Sequence, residues 1–150
     1  MPKLEQDSKL PHCIIVDMDA TLCLNMSARP FFGPGAAEKM KDDVPITEIC
    51  NLVRHYCNDS DAAFIVLTGR DEPCREATMK WLDDHWLHPT KLLMRPEGSF
   101  LPGPEQKKLI YEREIKNKYY VDFVLEDSSK VVRMWRELGL ICLQPNEGKF

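Results

Sequence analysis

HCIIVDMDAT, at residues 12–21, is the stretch of sequence that decides the fold. Its opening run HCIIVD is short, apolar and rich in β-branched side chains, which is typical of a strand buried on both faces of a sheet. The apolar run ends at an acidic residue, Asp17. AAFIVLTGR, at residues 62–70, repeats the pattern, because an apolar strand is again followed by polar residues and glycine. Both stretches therefore predict a buried strand with polar groups at its carboxyl end.

The rest of the chain alternates between helical and strand patterns, and residues 24–44 show no sustained period, which predicts a long loop or small flap there. The elements predicted after that loop are a helix from Pro45 to near Asn58, a strand over 63–67, a helix restarting at Pro73, a strand over 91–94, a helix over 104–117, a strand over 120–125, a helix capped by Ser128 and Ser129, and a strand within 140–144. Strands that alternate with helices favour a parallel sheet with right-handed crossovers. The sequence therefore predicts an α/β fold, with a three-layer, Rossmann-like parallel sheet of about five strands.

Composition and charge narrow the class of protein. With 150 residues, 43% of them hydrophobic and 29% charged, the chain has the size and composition of one globular domain, residues 1–150. Its formal net charge of −4 does not indicate a nucleic-acid binder, so a polyanion would need a local basic patch. No apolar stretch approaches the roughly 20 residues of a membrane span, and the polar start lacks the apolar run of a secretory signal, so we expect a cytoplasmic protein without a membrane partner. The six cysteines are spread singly, which predicts reduced and mostly buried thiols.

Polar residues are concentrated where the predicted strands end. Parallel α/β sheets bind ligands at the carboxyl ends of their strands, so these residues should meet in one crevice. They are Asp17, Asp19, Thr21, Thr68, Gly69, Arg70, Lys107, Glu126 and Asp127. Close carboxylates repel by about 4 kcal/mol per pair at an effective dielectric constant of about 20, so a cation is needed among them. Oxygen ligands without His or Cys favour Mg²⁺ over zinc, and the Lys, Arg and Thr side chains suit a dianionic phosphoryl group.

These motifs resemble those of the haloacid dehalogenase-like (HAD) phosphatases. DMDAT at 17–21, TGR at 68–70, Lys107 and the pair Glu126-Asp127 match that family's four motifs in order. The TGR triplet, the spacing from Lys107 to the acidic pair and the ending KVVRMWRELGLICLQPNEGKF are most similar to the 3′-phosphatase domain of bacteriophage polynucleotide kinase/phosphatase. The resemblance implies a single HAD-like phosphatase domain with its core at about residues 12–143.

The resemblance also implies a role for each matching residue. Asp17 would be the nucleophile that forms an aspartyl-phosphate, and Asp19 would serve as general acid and then as general base. Thr68 and Lys107 would hold the transferring phosphoryl oxygens. The implied residues of the substrate site are Thr21, which also holds the loop, Arg70 and Arg95. The implied Mg²⁺ ligands are Asp17, the main-chain carbonyl of Asp19, Asp127, and Glu126 either directly or through water.

Two residues depart from the family's pattern. Ala20 stands where many members carry glycine, so the loop after Asp19 must do without a residue that tolerates positive φ, and we expect little harm from this. Glu126 stands where Asp is frequent, and its longer arm can leave room for a water between the carboxylate and the metal.

The short spacing between motifs bears on substrate size. Family members that act on small metabolites usually carry a cap domain after the first motif or between the second and third, and neither gap has room for one here. An open, capless site admits the end of a polymer, and the basic residues that could edge it are Arg29, Arg70, Arg95, Lys107, Lys108 and Lys130. The resemblance thus implies removal of 3′-phosphate from DNA or RNA ends, with a separate kinase or ligase as a candidate partner. GPGAAEKM at 33–40 has the wrong spacing for a P-loop, so we predict no ATP-dependent phosphorylation.

Several alternatives remain open on the sequence. The same machinery could act on mononucleotides, on other small phosphate esters or on phosphoproteins. A non-catalytic module that binds phosphate ends is a further alternative, although a nucleophile beside an acid has no use in such a module. Phe31 and Phe32 could stack on a base or pack the loop onto the sheet. The sequence specifies neither a preference for DNA or RNA nor an oligomeric state.

Overall fold

The computed structural model describes residues 3–149 and contains a five-stranded parallel sheet with helices on both faces. In chain order the strands and helices are β1 (His12–Val16), β2 (Cys23–Leu24), β3 (Val44–Pro45), α1 (Thr47–Ser60), β4 (Ala63–Asp71), α2 (Arg75–Asp84), β5 (Lys91–Arg95), α3 (Gly103–Glu114), β6 (Tyr120–Leu125), α4 (Ser129–Glu137) and β7 (Cys142–Leu143). The large sheet has the spatial order β5-β4-β1-β6-β7, and all of its neighbours pair in parallel. The predicted α/β architecture of about five strands is confirmed.

Each face of the sheet has its own apolar cluster, because successive side chains of β1 point to opposite faces. Ile14 and Val16 pack in a cluster that includes Trp81 of α2. Cys13 and Ile15 belong to the other cluster, which contains side chains of α3 and α4. The two layers of helices hold the central strand from both sides, so the positions of the residues that follow β1 are fixed by the core.

The strand order reverses at β1, which lies between β4 and β6. Val16, the last residue of β1, pairs with Val66 on one side and Leu125 on the other. The Asp17 amide then donates to the carbonyl of Leu125 at 3.0 Å. A crevice at the carboxyl ends of β1 and β6 is the place where such sheets bind ligands, and it begins at Asp17.

The segment predicted as a loop or flap contains more structure than its sequence indicates. β2 and β3 form a short antiparallel ribbon, and a 3₁₀ helix spans Ala37–Asp42. The predicted helix start at Pro45 was wrong, because Pro45 pairs with Cys23 in the ribbon and α1 begins at Thr47. Two-residue strands give too few positions for a period to be visible in the sequence.

Other boundaries also moved. β4 continues to Asp71 instead of ending at residue 67, and a 3₁₀ turn at Glu72–Cys74 separates it from α2, which begins at Arg75 and not at Pro73. α3 ends at Glu114, earlier than the predicted 117. All six cysteines are free and five are buried, as predicted. Within residues 3–149, no helix combines the length and the apolar character that crossing a membrane requires.

Candidate active site

The turn after β1 is built around one carbonyl. The Met18 carbonyl accepts from the amides of Thr21, Leu22 and Cys23 at 3.2, 2.8 and 3.2 Å. Ala20 sits at the tip of this turn with φ of +63°, a conformation that an L side chain adopts only at a cost. The loop therefore uses a positive φ at the position where the sequence offers alanine, and it brings Thr21 back toward Asp17.

Three carboxylates meet at the carboxyl ends of β1 and β6. Oxygens of Asp17, Glu126 and Asp127 lie within 4.8 Å of one another, and all three residues are buried. The Thr21 hydroxyl, which can donate to only one acceptor at a time, lies 3.2 Å from Oδ1 of Asp127 and 3.4 Å from Oδ2 of Asp17. Burial, and next the charge of Asp17, raise the pKa of Asp127 to about 7, and the same two causes raise the pKa of Glu126 well above its usual range. The cluster carries more negative charge than the protein alone can neutralise.

Lys107 provides the positive charge that faces this cluster. It projects from α3, and its Nζ donates to Oδ1 of Asp17 at 2.8 Å and to Oε2 of Glu126 at 2.6 Å. Burial disfavours the ammonium, but the two carboxylates outweigh burial and raise the pKa of Lys107 above its ordinary value. One ammonium offsets one of three carboxylates, so a divalent cation would fit the remaining charge.

The donor set is suited to such a cation. Asp17, Glu126 and Asp127 offer oxygen atoms only, and a buried cluster of carboxylate oxygens is the kind of site that binds hard divalent cations. Both oxygens of Glu126 already have partners, since Oε2 accepts from Lys107 and Oε1 accepts from the Ser128 amide at 3.1 Å. The acidic cluster can therefore hold a metal ion, and each of its three carboxylates also has protein contacts.

Asp19 is held by two arginines. Its Oδ1 accepts from Nη2 of Arg29 at 2.7 Å and from Nη2 of Arg70 at 2.8 Å, and its Oδ2 accepts from Nε of Arg70 at 3.1 Å. Asp43 bridges the same arginines, because its Oδ2 lies 2.6 Å from Arg29 and 2.8 Å from Arg70. Burial of Asp19 is outweighed by Arg70 and then Arg29, so the pKa of Asp19 lies below its ordinary value. The network fixes the carboxylate of Asp19 at the edge of the crevice.

The structure places Arg70 differently from the sequence-based expectation of a substrate contact. Arg70 is 0% exposed, and it donates to Thr78 at 3.0 Å in addition to Asp19 and Asp43. Because these acceptors surround its guanidinium, the side chain of Arg70 makes its hydrogen bonds inside the core. Arg70 therefore holds the Asp19 carboxylate from the protein interior and does not line the open cavity.

Arg95 lies at the cavity, whereas Thr68 does not line it, and each residue is also engaged with the protein. Arg95 lines the cavity, donates to the carbonyls of Gly69 at 3.0 Å and Leu101 at 2.6 Å, and stacks on Phe32 with 4.5 Å between guanidinium and ring. Thr68 is buried near the end of β4, and its hydroxyl accepts from the Arg70 amide at 3.2 Å. Arg95 thus forms part of the cavity wall, and Thr68 is a buried residue of β4 outside that lining.

These groups surround one open cavity of about 170 Å³. Its lining comprises Asp17, Asp19, Phe31, Phe32, Gly69, Arg95, Gly103, Lys107, Glu126, Ser128 and Val131. Asp17, Asp19, Arg95, Lys107 and Glu126 were predicted for the site, and the aromatic side of the cavity comes from the loop after the first motif. The pairing of Arg29 with Asp43 was not predicted. The two residues lie 14 positions apart in a loop without a periodic pattern, so the sequence gives no signal for it.

Comparison with known proteins agrees with this arrangement. The family model described as the polynucleotide kinase PNKP phosphatase domain matches residues 11–150. A putative bifunctional polynucleotide kinase/RNA ligase of Autographa californica nuclear polyhedrosis virus is 28% identical over 133 residues, which cover 88% of this chain and 19% of that protein.

Two solved structures of the Pnkp1/Rnl/Hen1 complex, one described as an RNA repair complex, each contain a similar chain. Both are 33% identical to this chain over 99% of its length, with TM-scores of 0.91 and 0.92. The chain spans 46% and 50% of those two chains, and thus half or less of each relative named here. With its four motifs, its strand order and this match over nearly the whole sequence, the chain belongs to the HAD family of polynucleotide kinase phosphatase domains.

Proposed function

We propose that this protein is a Mg²⁺-dependent phosphomonoesterase that removes 3′-phosphate from nucleic-acid ends through an aspartyl-phosphate on Asp17. The observation that carries the proposal is the juxtaposition at the cavity floor, where the Asp17 carboxylate lies beside Glu126 and Asp127 and accepts from Lys107 at 2.8 Å. We further propose that residues 12–143 form the core of one phosphatase domain, with both apolar clusters on one sheet.

In the first half-reaction, an Asp17 oxygen attacks phosphorus in line while the bond from phosphorus to the 3′ oxygen breaks. Asp19 donates its proton to the leaving 3′ oxygen. The two arginines favour the ionised form of Asp19 in the free protein. An incoming dianionic phosphate adds negative charge beside Asp19, which favours the protonated form that the leaving oxygen needs.

In the second half-reaction, Asp19 accepts a proton from water, and the water oxygen attacks phosphorus. The bond between phosphorus and Asp17 breaks, inorganic phosphate leaves, and both carboxyl groups return to their starting forms. Lys107 neutralises charge on the nucleophile and on the transferring oxygens. The Thr68 hydroxyl accepts from the Arg70 amide, so its own proton points elsewhere and can be donated to a phosphoryl oxygen.

The residues proposed to hold Mg²⁺ are Asp17, the Asp19 carbonyl and Asp127, with Glu126 acting directly or through water. Bound there, Mg²⁺ would neutralise negative charge that otherwise repels a phosphate dianion. The raised pKa of Asp127, about 7, supports this ligand set, because a carboxylate held near other carboxylates is stabilised when a cation joins them.

The openness of the cavity supports a polymer end as substrate. Between β1 and β4 the chain forms only a short ribbon, a 3₁₀ helix and α1, and between β4 and α3 only a 3₁₀ turn, α2 and β5, so neither gap holds a cap domain. The aromatic rings of Phe31 and Phe32 line the mouth, where a terminal base could stack.

A basic groove between α3 and α4 supports the same assignment. It has a volume of about 260 Å³ and is lined by Pro104, Glu105, Lys108, Lys130, Arg133, Met134 and Glu137. The groove lies next to the catalytic cavity, because Gly103 and Val131 line the cavity and their chain neighbours Pro104 and Lys130 line the groove. Among the ion pairs of residues 3–149, none uses Lys108, Lys130 or Arg133. These three cations are thus placed to contact the phosphodiester backbone of the nucleotides that precede a 3′ end. The groove also contains two carboxylates, those of Glu105 and Glu137.

The test is phosphate release from matched substrates. A DNA and an RNA oligonucleotide with a 3′-phosphate, the same oligonucleotides with a 5′-phosphate, a nucleoside 3′-monophosphate and an aryl phosphate are compared with Mg²⁺ and with EDTA. Release from 3′-phosphorylated oligonucleotides alone, abolished by EDTA, is the expected result. Equal or better activity on the monophosphate or aryl phosphate would favour a small-molecule phosphatase, and silence on every substrate would favour a binding module.

RNA ends are the substrate we expect to be preferred. The similar solved chains come from an RNA repair complex, and the viral relative is a putative polynucleotide kinase/RNA ligase. By analogy, we propose that a kinase or ligase acts on the same ends after this protein has removed the phosphate. Faster release from DNA than from RNA would contradict the preference without affecting the chemistry.

A further inference from the structure

The segment after β7, residues 144–148, runs back to Asp127 of the acidic cluster, and we call it the C-terminal strap. Gly148 is buried, and its amide donates to the Asp127 carbonyl at 2.8 Å. The Gln144 side chain donates to the same carbonyl at 2.9 Å. The Gly148 carbonyl in turn accepts from the Ser129 amide at 2.8 Å, at the start of α4. The strap therefore ties down Asp127 through its main chain, on the side of Asp127 away from β1.

Gly148 also touches the carboxylate of Asp127. A Cβ added at Gly148 would lie 2.7 Å from Oδ2 and 2.7 Å from the carbonyl oxygen of Asp127, closer than such atoms approach in proteins. The φ of Gly148 is not in the left-handed region, so the need for glycine here is one of space and not of backbone conformation. One of the two clashing oxygens belongs to the backbone, which cannot swing aside as the end of a side chain can.

The opposite side of Asp127 is fixed as well. Its Oδ1 is contacted by the Thr21 hydroxyl at 3.2 Å, in the turn that carries Asp17. The carboxylate is thus confined between Thr21 on one side and Gly148 on the other. A shift forced by a new side chain at 148 would move Asp127 relative to Asp17.

We propose that Gly148 and Gln144 are positioning residues that hold Asp127 in the geometry needed for divalent-cation binding, an inference that rests on the proposed metal-dependent function. The strap contributes no ligand atom itself. It acts on the metal centre through packing and through the two hydrogen bonds to the Asp127 carbonyl. Loss of an outer-shell partner of a metal ligand typically weakens metal affinity by about 10- to 100-fold.

The proposal is tested by binding of Mn²⁺, followed by electron paramagnetic resonance, to the full chain and to Gly148→Ala. Lys149→Ala is the matched control, because Lys149 is the next residue and is exposed. We expect Gly148→Ala to keep the far-ultraviolet circular dichroism of the parent and to bind Mn²⁺ at least about tenfold more weakly. Lys149→Ala should bind within about twofold of the parent. Parent-like affinity in a folded Gly148→Ala protein would overturn the proposal.

Gln144→Met provides a second variant in case the alanine substitution prevents folding. Methionine keeps the length of the side chain and removes the donor to Asp127, so a several-fold loss of Mn²⁺ affinity is expected, and an unchanged affinity would overturn the proposal. Binding is measured without substrate, which separates the two hypotheses. A parent that binds Mn²⁺ and loses it in these variants, yet releases no 3′-phosphate, would refute the proposed function alone. A parent that binds no Mn²⁺ would refute both.

Discussion

Nη2 of Arg29 lies 2.7 Å from Oδ1 of Asp19, and the same arginine atom lies 2.6 Å from Oδ2 of Asp43. A guanidinium that is fully buried thus joins the proposed acid–base residue to a carboxylate in the loop before β3. Arg70 repeats this pattern from β4. The carboxylate of Asp19 is therefore oriented by groups from two distant parts of the chain before any substrate arrives.

Arg29→Lys should lower kcat strongly and lower the melting temperature only to a smaller degree. Lysine keeps a positive charge but cannot reproduce the forked contacts with Asp19 and Asp43, so Asp19 loses one of its two orienting partners. We expect kcat on a 3′-phosphorylated oligonucleotide to fall by about 10²-fold, the scale on which misplaced catalytic groups lose rate. Steady-state kinetics and a thermal melt check this. Lys41→Arg, at an exposed position of the same loop, is the control, and an Arg29→Lys enzyme with parent kcat would contradict the positioning role.

Cation binding should strengthen as pH rises through the titration of Asp127. The pKa of Asp127 is raised to about 7 in the metal-free fold, from an ordinary value of 3.8. A raised carboxyl pKa means that the folded protein holds a proton the unfolded chain has lost, so this group makes the metal-free protein less stable as pH rises from about 4 to about 7. A bound cation displaces that proton. Mg²⁺ should therefore raise Tm more at pH 8 than at pH 5.5.

The measurement is a set of thermal melts with and without saturating Mg²⁺ at both pH values. Glu112→Gln, which removes an exposed carboxylate of α3 outside the acidic cluster, is the control and should keep the parent's difference between the two pH values. An equal Mg²⁺ effect on the parent at pH 5.5 and pH 8 would contradict this linkage.

Ala20→Gly should stabilise the protein. Ala20 has φ of +63°, and a left-handed conformation costs an L residue about 1 kcal/mol more than glycine. We expect the free energy of unfolding to increase by about 1 kcal/mol, measured by urea denaturation. Ala36→Gly is a comparison with the opposite sign, because Ala36 has φ of −69°, so glycine there adds chain entropy to the unfolded state and also removes a buried methyl group. A destabilised Ala20→Gly protein would show that the methyl group matters more than the backbone strain.

Reversal of charge in the α3–α4 groove should affect polymers selectively. Lys108→Glu and Lys130→Glu remove cations that lie outside the catalytic cavity, so KM for a 3′-phosphorylated oligonucleotide should rise while kinetics on a nucleoside 3′-monophosphate stay close to the parent. The dependence of log KM on log salt should also become shallower, because fewer phosphates are neutralised. Lys116→Glu is the control, because it changes an exposed charge in the connection between α3 and the amino end of β6. Equal effects on both substrates would contradict a backbone-binding groove.

The sequence predicts the parts of this site that depend on local patterns. Asp17 and Asp19 follow an apolar strand, and Glu126 and Asp127 follow another, so the parallel sheet is sufficient to bring the two pairs together. The partners of Arg29 and Arg70 could not be predicted in this way, because Asp43 lies in a loop whose fold depends on tertiary contacts. The proposed role of Gly148 depends on a reversal of the chain after β7. The local sequence contains turn residues there, but it does not indicate that the chain packs against Asp127 after the turn.

The difference is clearest for Arg70. Its position after a strand indicates a place near the catalytic edge, and the structure does bring it to Asp19. Whether such a side chain points into solvent or into the core depends on which acceptors lie near its guanidinium, and Asp43 and Thr78 reach Arg70 only through the packing of the loop before β3 and of α2. Strand-end position can be inferred from sequence, whereas the direction of a long side chain requires the packed structure.

The most direct test of the central claim is a single-turnover reaction with an oligonucleotide carrying a ³²P-labelled 3′-phosphate, quenched in acid and analysed for label on the protein. If Asp17 is the nucleophile, the parent protein carries a transient acid-stable label that appears before free phosphate, and Asp17→Asn gives neither label nor free phosphate. Release of labelled phosphate by Asp17→Asn at the parent rate would contradict the assignment of Asp17 as the nucleophile.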